Sequence, residues 1–257
     1  MPAVEVMPAV EFLPAVELMA ATQRVCVLSG AGISTDSGIP DFRGPAGLWT
    51  VDPGAARMFD ITAYLNDPQL RQRAWAHRIE HPAWGARPNA GHIAVASLFR
   101  QGRLSAVATQ NIDGLHQAAG LPAERVLELH GTLHRVVCLS CGALFGTWSV
   151  LARVRAGELD PACIECGGLL KTATVAFGQR LDSDVLRAAR RAVLQAQVLL
   201  AVGSSLSVIP AAGLCDLALR AGTAVIIVNA EPTRYDDRAT HVVRGSISQV
   251  LPVLCAS

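Results

Sequence analysis

Four of the seven cysteines fall in two Cys-x-x-Cys pairs, Cys138 with Cys141 and Cys163 with Cys166. Four thiolates at this spacing suit a tetrahedral metal. Zinc fits both the spacing and the softness of sulfur, iron–sulfur ligation is the chemical rival, and two disulfides are the poorer alternative. Such a set leaves no open position, so the metal would be structural. Cys26, Cys215 and Cys255 read as ordinary buried or tail thiols. A second constellation is the glycine turn Gly30-Ala31-Gly32-Ile33-Ser34, which follows the apolar run Val25–Ser29. A turn of this kind lets the backbone approach a pyrophosphate, whose charge a following helix N-terminus can stabilise. The third glycine of the usual fingerprint is missing, so a tight turn without a ligand is the competing reading. Gly203-Ser204-Ser205 follows Val198–Val202 in the same manner and offers amides and hydroxyls to phosphate.

Polar side chains also cluster just past other apolar runs. Gln110, Asn111, Ile112 and Asp113 follow Leu104–Thr109, and His130 follows Val126–Leu129. An imidazole in such a loop can titrate near neutrality and act as a general base. A lone histidine is ordinarily structural, and His77, His81, His92 and His241 are read that way, with His116 and His134 left open.

Groups like these need strand ends to hold them. Val25–Ser29, Leu104–Thr109, Val126–Leu129, Val198–Val202 and Ala224–Val228 are unbroken apolar runs, the pattern of strands covered on both faces. Amphipathic stretches at Ala90–Gln101, Ser183–Leu194 and Ala211–Arg220 lie between them. The alternation predicts an α/β fold, a doubly wound parallel Rossmann-like sheet with ligands at the carboxyl ends of its strands. Cys138–Cys166 breaks the rhythm and reads as a small zinc-binding insert over about residues 135–172. The chain begins with the hexads MPAVEV, MPAVEF and LPAVEL. Proline at every sixth position forbids a continuous helix, so residues 1–23 read as a low-complexity leader, with at most one short helix from Pro14, and residues 24–257 as the domain.

Composition removes several classes. With 51% hydrophobic and 17% charged residues the 257-residue chain is not disordered. Lys+Arg 22 against Asp+Glu 21 gives a net charge of +1, no field to draw it to nucleic acid or an anionic membrane. No apolar run reaches the ~18 residues of a membrane span, and no secretory signal is visible. Paired cysteines in such a chain point to a reducing cytoplasm. Only one residue, Lys171, is a lysine. Any lysine chemistry would therefore belong to a partner.

Longer motifs carry a resemblance. Ser37-Gly38-Ile39-Pro40-Asp41-Phe42-Arg43-Gly44, Thr109 to His116, Leu129-His130-Gly131, Gly203-Ser204-Ser205-Leu206, Val228-Asn229 and Leu251-Pro252 occur in that order between about Val25 and Leu254. Together they resemble the sirtuins, NAD-dependent protein-lysine deacylases. The resemblance implies NAD and zinc as cofactors, acylated-lysine proteins as partners, and nicotinamide, 2′-O-acyl-ADP-ribose and free lysine as products. It implies that His130 is the general base on a ribose hydroxyl, acting with Asn111 and Asp113. Gln110, Asn111, Ile112 and Asp113 would line the ribose and nicotinamide, under a loop bearing Asp41, Phe42 and Arg43, with Phe42 shielding the centre from water. Gly30, Ala31, Gly32, Ser34, Gly203, Ser204 and Ser205 would face phosphate and ribose. Asn229 and Glu231 would meet the adenosine ribose. Ile247 would line the adenine, a core position being its competing reading.

Val175, Ala176, Phe177 and Gly178 resemble the strand that pairs with substrate peptide. Gln179 stands where the family usually has an acidic residue, and Ala176 where a large apolar one is common. Arg71–Ala76 and Pro232–Asp237 resemble the class II branch. The desuccinylase branch carries Tyr-x-x-Arg where this chain has Trp75-x-x-Arg78. Without the tyrosine hydroxyl, Arg78 reads as a solvated helix residue, and neutral acyl chains are expected to be preferred over succinyl. Protein mono-ADP-ribosyl transfer, or a non-catalytic module binding NAD or acyl-peptide, are the alternatives. The oligomeric state is not legible.

Overall fold

Runs such as Val-Cys-Val-Leu-Ser and Val-Leu-Leu-Ala-Val have no polar face to turn toward water, so they fold as strands covered on both sides. The computed structural model describes residues 12–42, 44 and 47–256. Its strands are β1 Val25–Ser29, β2 Leu104–Thr109, β3 Val126–Glu128, β4 Gly131–Cys138, β5 Leu144–Gly146, β6 Leu170–Thr174, β7 Val198–Val202, β8 Ala224–Val228 and β9 His241–Val243. The α-helices are α1 Leu13–Ala21, α2 Leu48–Val51, α3 Ile61–Asn66, α4 Pro68–Ile79, α5 Ala90–Arg100, α6 Leu115–Ala118, α7 Thr147–Arg155, α8 Ser183–Gln195, α9 Gly213–Arg220 and α10 Ile247–Cys255.

Six strands form one parallel sheet in the order β3-β2-β1-β7-β8-β9. From β1 the chain winds outward through β2 to β3, then returns to β7 and winds the other way. Its direction reverses between β1 and β7, where open α/β sheets leave a ligand crevice. The expected bounds of β1, β2, β7 and β8 match, and β3 ends one residue early. The edge strand β9 was not anticipated, because three residues are too few to show a period.

One face of the sheet is covered by α1, α5 and α10, with Met19, Leu98 and Leu254 in that layer. The other carries α8 and α9, with Val193, Leu214 and Tyr235. The described part of the leader is therefore core. Phe12, Ala15 and Met19 are buried, and Pro14 sits in the first turn of α1, which its fixed φ favours. Buried Arg103 grips the end of this helix, its Nε donating to Thr22 O at 2.9 Å and its Nη2 to Met19 O. The fold thus begins before residue 24, while residues 1–11 lie outside the described residues.

The cysteine lobe is also wider than expected. Its antiparallel sheet, β5-β4-β6, begins at Gly131 and ends at Thr174. Three short strands and α7 enclose too little apolar volume to stand alone. A distant segment closes the lobe: Trp75 of α4 is buried with Val136, Val150, Leu151 and Leu170. Arg71, one turn earlier, pairs with Asp160 at 2.9 Å and donates from Nη1 to Tyr64 O.

Candidate active site

The crevice is built from two interlocked turns. Gly30 N donates to Val202 O at 2.9 Å and Gly32 N to Gly203 O at 2.8 Å, joining the loop after β1 to the loop after β7. A Cβ on Gly30 would lie 2.7 Å from Gly203 O, so glycine is demanded by the neighbouring turn itself. Ala31 opens a 3-10 segment, Ala31–Ser37, in place of the α-helix expected to follow. A longer helix's N-terminal charge is therefore missing, and the crevice presents turn amides and hydroxyls. Ser204 Oγ accepts from Gln110 Nε2 at 2.9 Å, and the Ser205 and Ser207 hydroxyls lie 2.8 Å apart.

Behind this rim lies a buried polar network. Ser34 Oγ donates to Asp113 Oδ2 at 2.7 Å and accepts from Asn111 Nδ2 at 3.1 Å, which also donates to Gly30 O. Leu115 N donates to the other oxygen of Asp113. His92 and His116, 5.1 Å apart, sit beneath. His92 Nδ1 accepts from Asn89 N, so its Nε2–H points at Ser34 Oγ, 3.5 Å away. Ser29 Oγ gives its proton to Thr109, so His116 Nε2 must donate to Ser29 Oγ, at 2.8 Å. Burial pushes His92 down to about 4 and His116 to about 3, keeping both neutral. The sequence held no pattern tying these histidines to Ser34 and Ser29, because the contacts join α5 and α6 to β1 and the turn after it.

His130 occupies the expected place beyond β3. Its Nδ1 is 3.0 Å from Gln110 O; a carbonyl only accepts, so Nδ1 carries the proton and Nε2 keeps a lone pair. Burial lowers its pKa from the ordinary value, opposed by that backbone hydrogen bond. The result is a neutral, oriented base near pH 7. Ile112 lies between Asn111 and Asp113, its carbonyl accepting from Leu133 N. Of the covering loop, Asp41 accepts from Gly44 N at 2.9 Å and Phe42 meets Phe59 edge-on at 6.0 Å. Arg43 lies outside the described residues.

At the far end, Asn229 follows β8, with its Nδ2 donating to Glu231 O at 2.7 Å and the Glu231 residue exposed. Arg244, not singled out in the sequence, donates to Asn229 O and Glu231 O and pairs with Asp236. Ile247 is buried in the core layer, where it and Ile33 both approach Gly91.

The substrate segment departs from expectation. β6 ends at Thr174, Val175 N donates to His130 O, and Ala176 to Gln179 form a turn, with Gly178 at φ 84°. Gln179 holds it, its Oε1 accepting from Ala176 N at 2.9 Å and its N donating to Ala176 O. Phe177 N donates to Phe59 O and Phe177 O accepts from Ile61 N. A strand free for pairing along its whole length is thus absent, because Ala176 and Phe177 already use their main-chain groups.

Beside this turn is a cavity of about 30 Å³ lined by Phe59, Trp75, Arg78, Lys171, Val175 and Ala176, among others. Arg78 is 9% exposed, not solvated. Among the described residues, its Nη1 and the Nε1 of Trp75 are buried without a hydrogen-bond partner. Burial lowers Arg78 to about 10, and burial and then the Arg78 charge lower Lys171 to about 8. Lys171 Nζ donates to Thr172 O at 3.0 Å and to Thr174 O.

The four paired cysteines converge, with their Sγ atoms all within 4.8 Å of one another. Cys138 and Cys166 are 3.5 Å apart and Cys141 and Cys163 3.8 Å. Sulfurs ~2.3 Å from a tetrahedral zinc stand about 3.8 Å apart, so the set fits that ion.

Comparisons with known proteins agree with this geometry. The Sir2 family model matches residues 30–210. The NAD-dependent protein deacetylase 2 of Streptomyces coelicolor is 54% identical over 230 residues, 90% of this chain and 95% of that protein. The NAD-dependent protein deacetylase 1 of Pyrobaculum aerophilum is 43% identical, covering 88% and 87%. A solved structure described as giving the basis for mechanism and regulation of Sir2 enzymes superposes with a TM-score of 0.86 at 38% identity, covering 97% and 98%. A Sir2 with p53 peptide and NAD+ gives 0.83 at 35%, covering 95% and 96%. With the crevice, the oriented imidazole and the thiolate cluster all in place, the chain belongs to the Sir2 family.

Proposed function

We propose that this chain is an NAD-dependent protein-lysine deacylase that releases nicotinamide, 2′-O-acyl-ADP-ribose and free lysine. The observation that carries the reading is His130, just past the edge strand β3, with Nδ1 tied to Gln110 O and Nε2 left as the acceptor, while the Gln110 side chain reaches Ser204 beyond β7. The names and ligands of the relatives support it. The donor set fits NAD: the Ser204 and Ser205 hydroxyls for phosphate, the Gly30 and Gly32 amides being spent on the neighbouring turn, Gln110, Asn111 and Asp113 for the ribose and nicotinamide, and the Asn229 loop for the adenosine. Bound there, NAD supplies a ribose carbon that becomes electrophilic as nicotinamide leaves, open to attack by the acyl oxygen of the substrate lysine. His130 Nε2 would take a proton from a ribose hydroxyl, Ser34, itself held by Asn111, keeps Asp113 in place, and Phe42 would keep water away. The four cysteines would hold zinc, whose role is to brace the lobe that carries the substrate turn. The paired thiols support a reducing cytoplasm as its compartment; among the described residues no helix is long and apolar enough to cross a membrane.

Arg78 favours a second reading of the acyl group. A buried guanidinium nitrogen without a partner is costly, and a carboxylate entering the cavity would satisfy it. Tolerance of an acidic acyl group thus stands beside the expectation of neutral chains. Nicotinamide release across acetyl-, octanoyl- and succinyl-lysine in one peptide tests both readings. Turnover with any of them, with acyl-ADP-ribose detected by mass spectrometry, supports the deacylase; ADP-ribose left on protein would indicate the transferase instead. A succinyl kcat/KM that drops at least roughly tenfold in Arg78→Met, with the acetyl value held, is the expected signature of the guanidinium.

A further inference from the structure

We propose that His134 is a positioning residue, the side chain by which the cysteine lobe fixes the Asp113 segment of the NAD crevice. The proposal rests on the NAD reading of that crevice and adds a residue to it. His134 lies on β4, the strand that ends in the ligand Cys138. Its Nε2 is 2.9 Å from Asp113 O. Because a carbonyl can only accept, the ring must carry its proton on Nε2. One residue earlier on the same strand, Leu133 N donates to Ile112 O at 2.9 Å, and Leu133 O accepts from Thr147 Oγ1 at the start of α7. Two successive carbonyls of the crevice loop are therefore held by two successive residues of the lobe.

The ring is itself held from the far side. Trp84 meets it edge-on at 5.7 Å, and Trp84 Nε1 donates to Arg78 O at 2.7 Å, so α4 backs the contact. The loop has also yielded to the ring: Gly114 is at φ 76°, and a Cβ there would lie 2.6 Å from His134 Nε2. The Asp113 carboxylate is fixed by Ser34 and Leu115 from the large sheet's side. His134 fixes the other end of the same residue. Without it, the Asp113–Gly114 peptide plane could turn, while Leu133 would still hold the plane before it.

The test is titration calorimetry of NAD on the zinc-loaded full chain, comparing wild type with His134→Ala, His134→Phe and His134→Gln. Phenylalanine keeps a ring against Trp84 but has no donor; glutamine restores an N–H at similar reach. We expect alanine and phenylalanine to weaken NAD binding roughly three- to tenfold, the range for one lost hydrogen bond, and glutamine to recover most of it. Zinc content and the KM for acyl-peptide should not move. The phenylalanine variant keeps the test open should alanine fail to fold. NAD affinity unchanged in both, or glutamine as weak as phenylalanine, overturns the proposal. Normal NAD binding without turnover in the wild type would instead strike the deacylase reading and leave this one standing.

Discussion

His130 can accept a proton only while its Nε2 lone pair is free, and two features keep it so. The Gln110 carbonyl fixes the tautomer, and burial holds the ring neutral. His130→Ala should therefore lower turnover by about 10²–10⁴-fold, with NAD affinity by calorimetry nearly unchanged. Because burial lowers its pKa, the acid limb of kcat/KM should fall below the ordinary imidazole value of ~6.5. A pH–rate profile with that limb above 7 would assign the titration to another group. The positions of His130, Asn111 and Asp113 were legible because each follows an apolar run, whereas their proposed roles came from the resemblance alone. His134, Arg244 and His92 were not. Each acts through a contact with a segment far along the chain, and no local spacing encodes such a contact.

Elements carried most of what the sequence could say about the fold. Strands buried on both faces announce themselves by unbroken apolar runs, so four of the six in the large sheet were bounded correctly. Errors arose where tertiary packing overrode local signals. The short helix expected from Pro14 does form, as α1, but belongs to the core because Ala15 and Met19 find an apolar seat beside α10 and Arg103 satisfies its last carbonyls. The cysteine lobe recruits α4 because it cannot bury enough surface alone. Zinc should then share the work of holding the lobe with Trp75 and the Arg71–Asp160 pair. Cys141→Ala should bring zinc from one per chain to none and destabilise the protein by on the order of 3–5 kcal/mol. That is less than the ~10–16 kcal/mol zinc gives a peptide with no other core. Metal analysis and urea denaturation check both numbers, and iron with sulfide in the wild type would displace zinc.

At the scale of the whole molecule, stability should depend on pH in one direction through the mildly acid range. His81 and His116 are pushed down to about 3 and His92 to about 4, in each case first by burial. The folded protein keeps these rings neutral, whereas in the unfolded chain they take up protons below ~6.5. Unfolding is thus favoured as pH falls from about 6.5 toward 4, and these groups contribute no pH dependence above that window. Urea midpoints at pH 7.5, 6 and 5 should decline in that order; a flat series would mean that the rings are protonated in the fold.

Lys171 also bears on how the molecule looks to its own kind of chemistry. It is the chain's single lysine, 5% exposed, with its ammonium turned into carbonyls of its own strand. The surface positive charge is otherwise arginine, which acyl donors leave alone. Copies of the enzyme therefore present one another with no acceptor side chain. Crowding them together creates no competing pool of substrate, and a cell rich in reactive thioesters cannot tune the enzyme by marking its surface amines. An amine-reactive dye would find no exposed lysine side chain on this sequence.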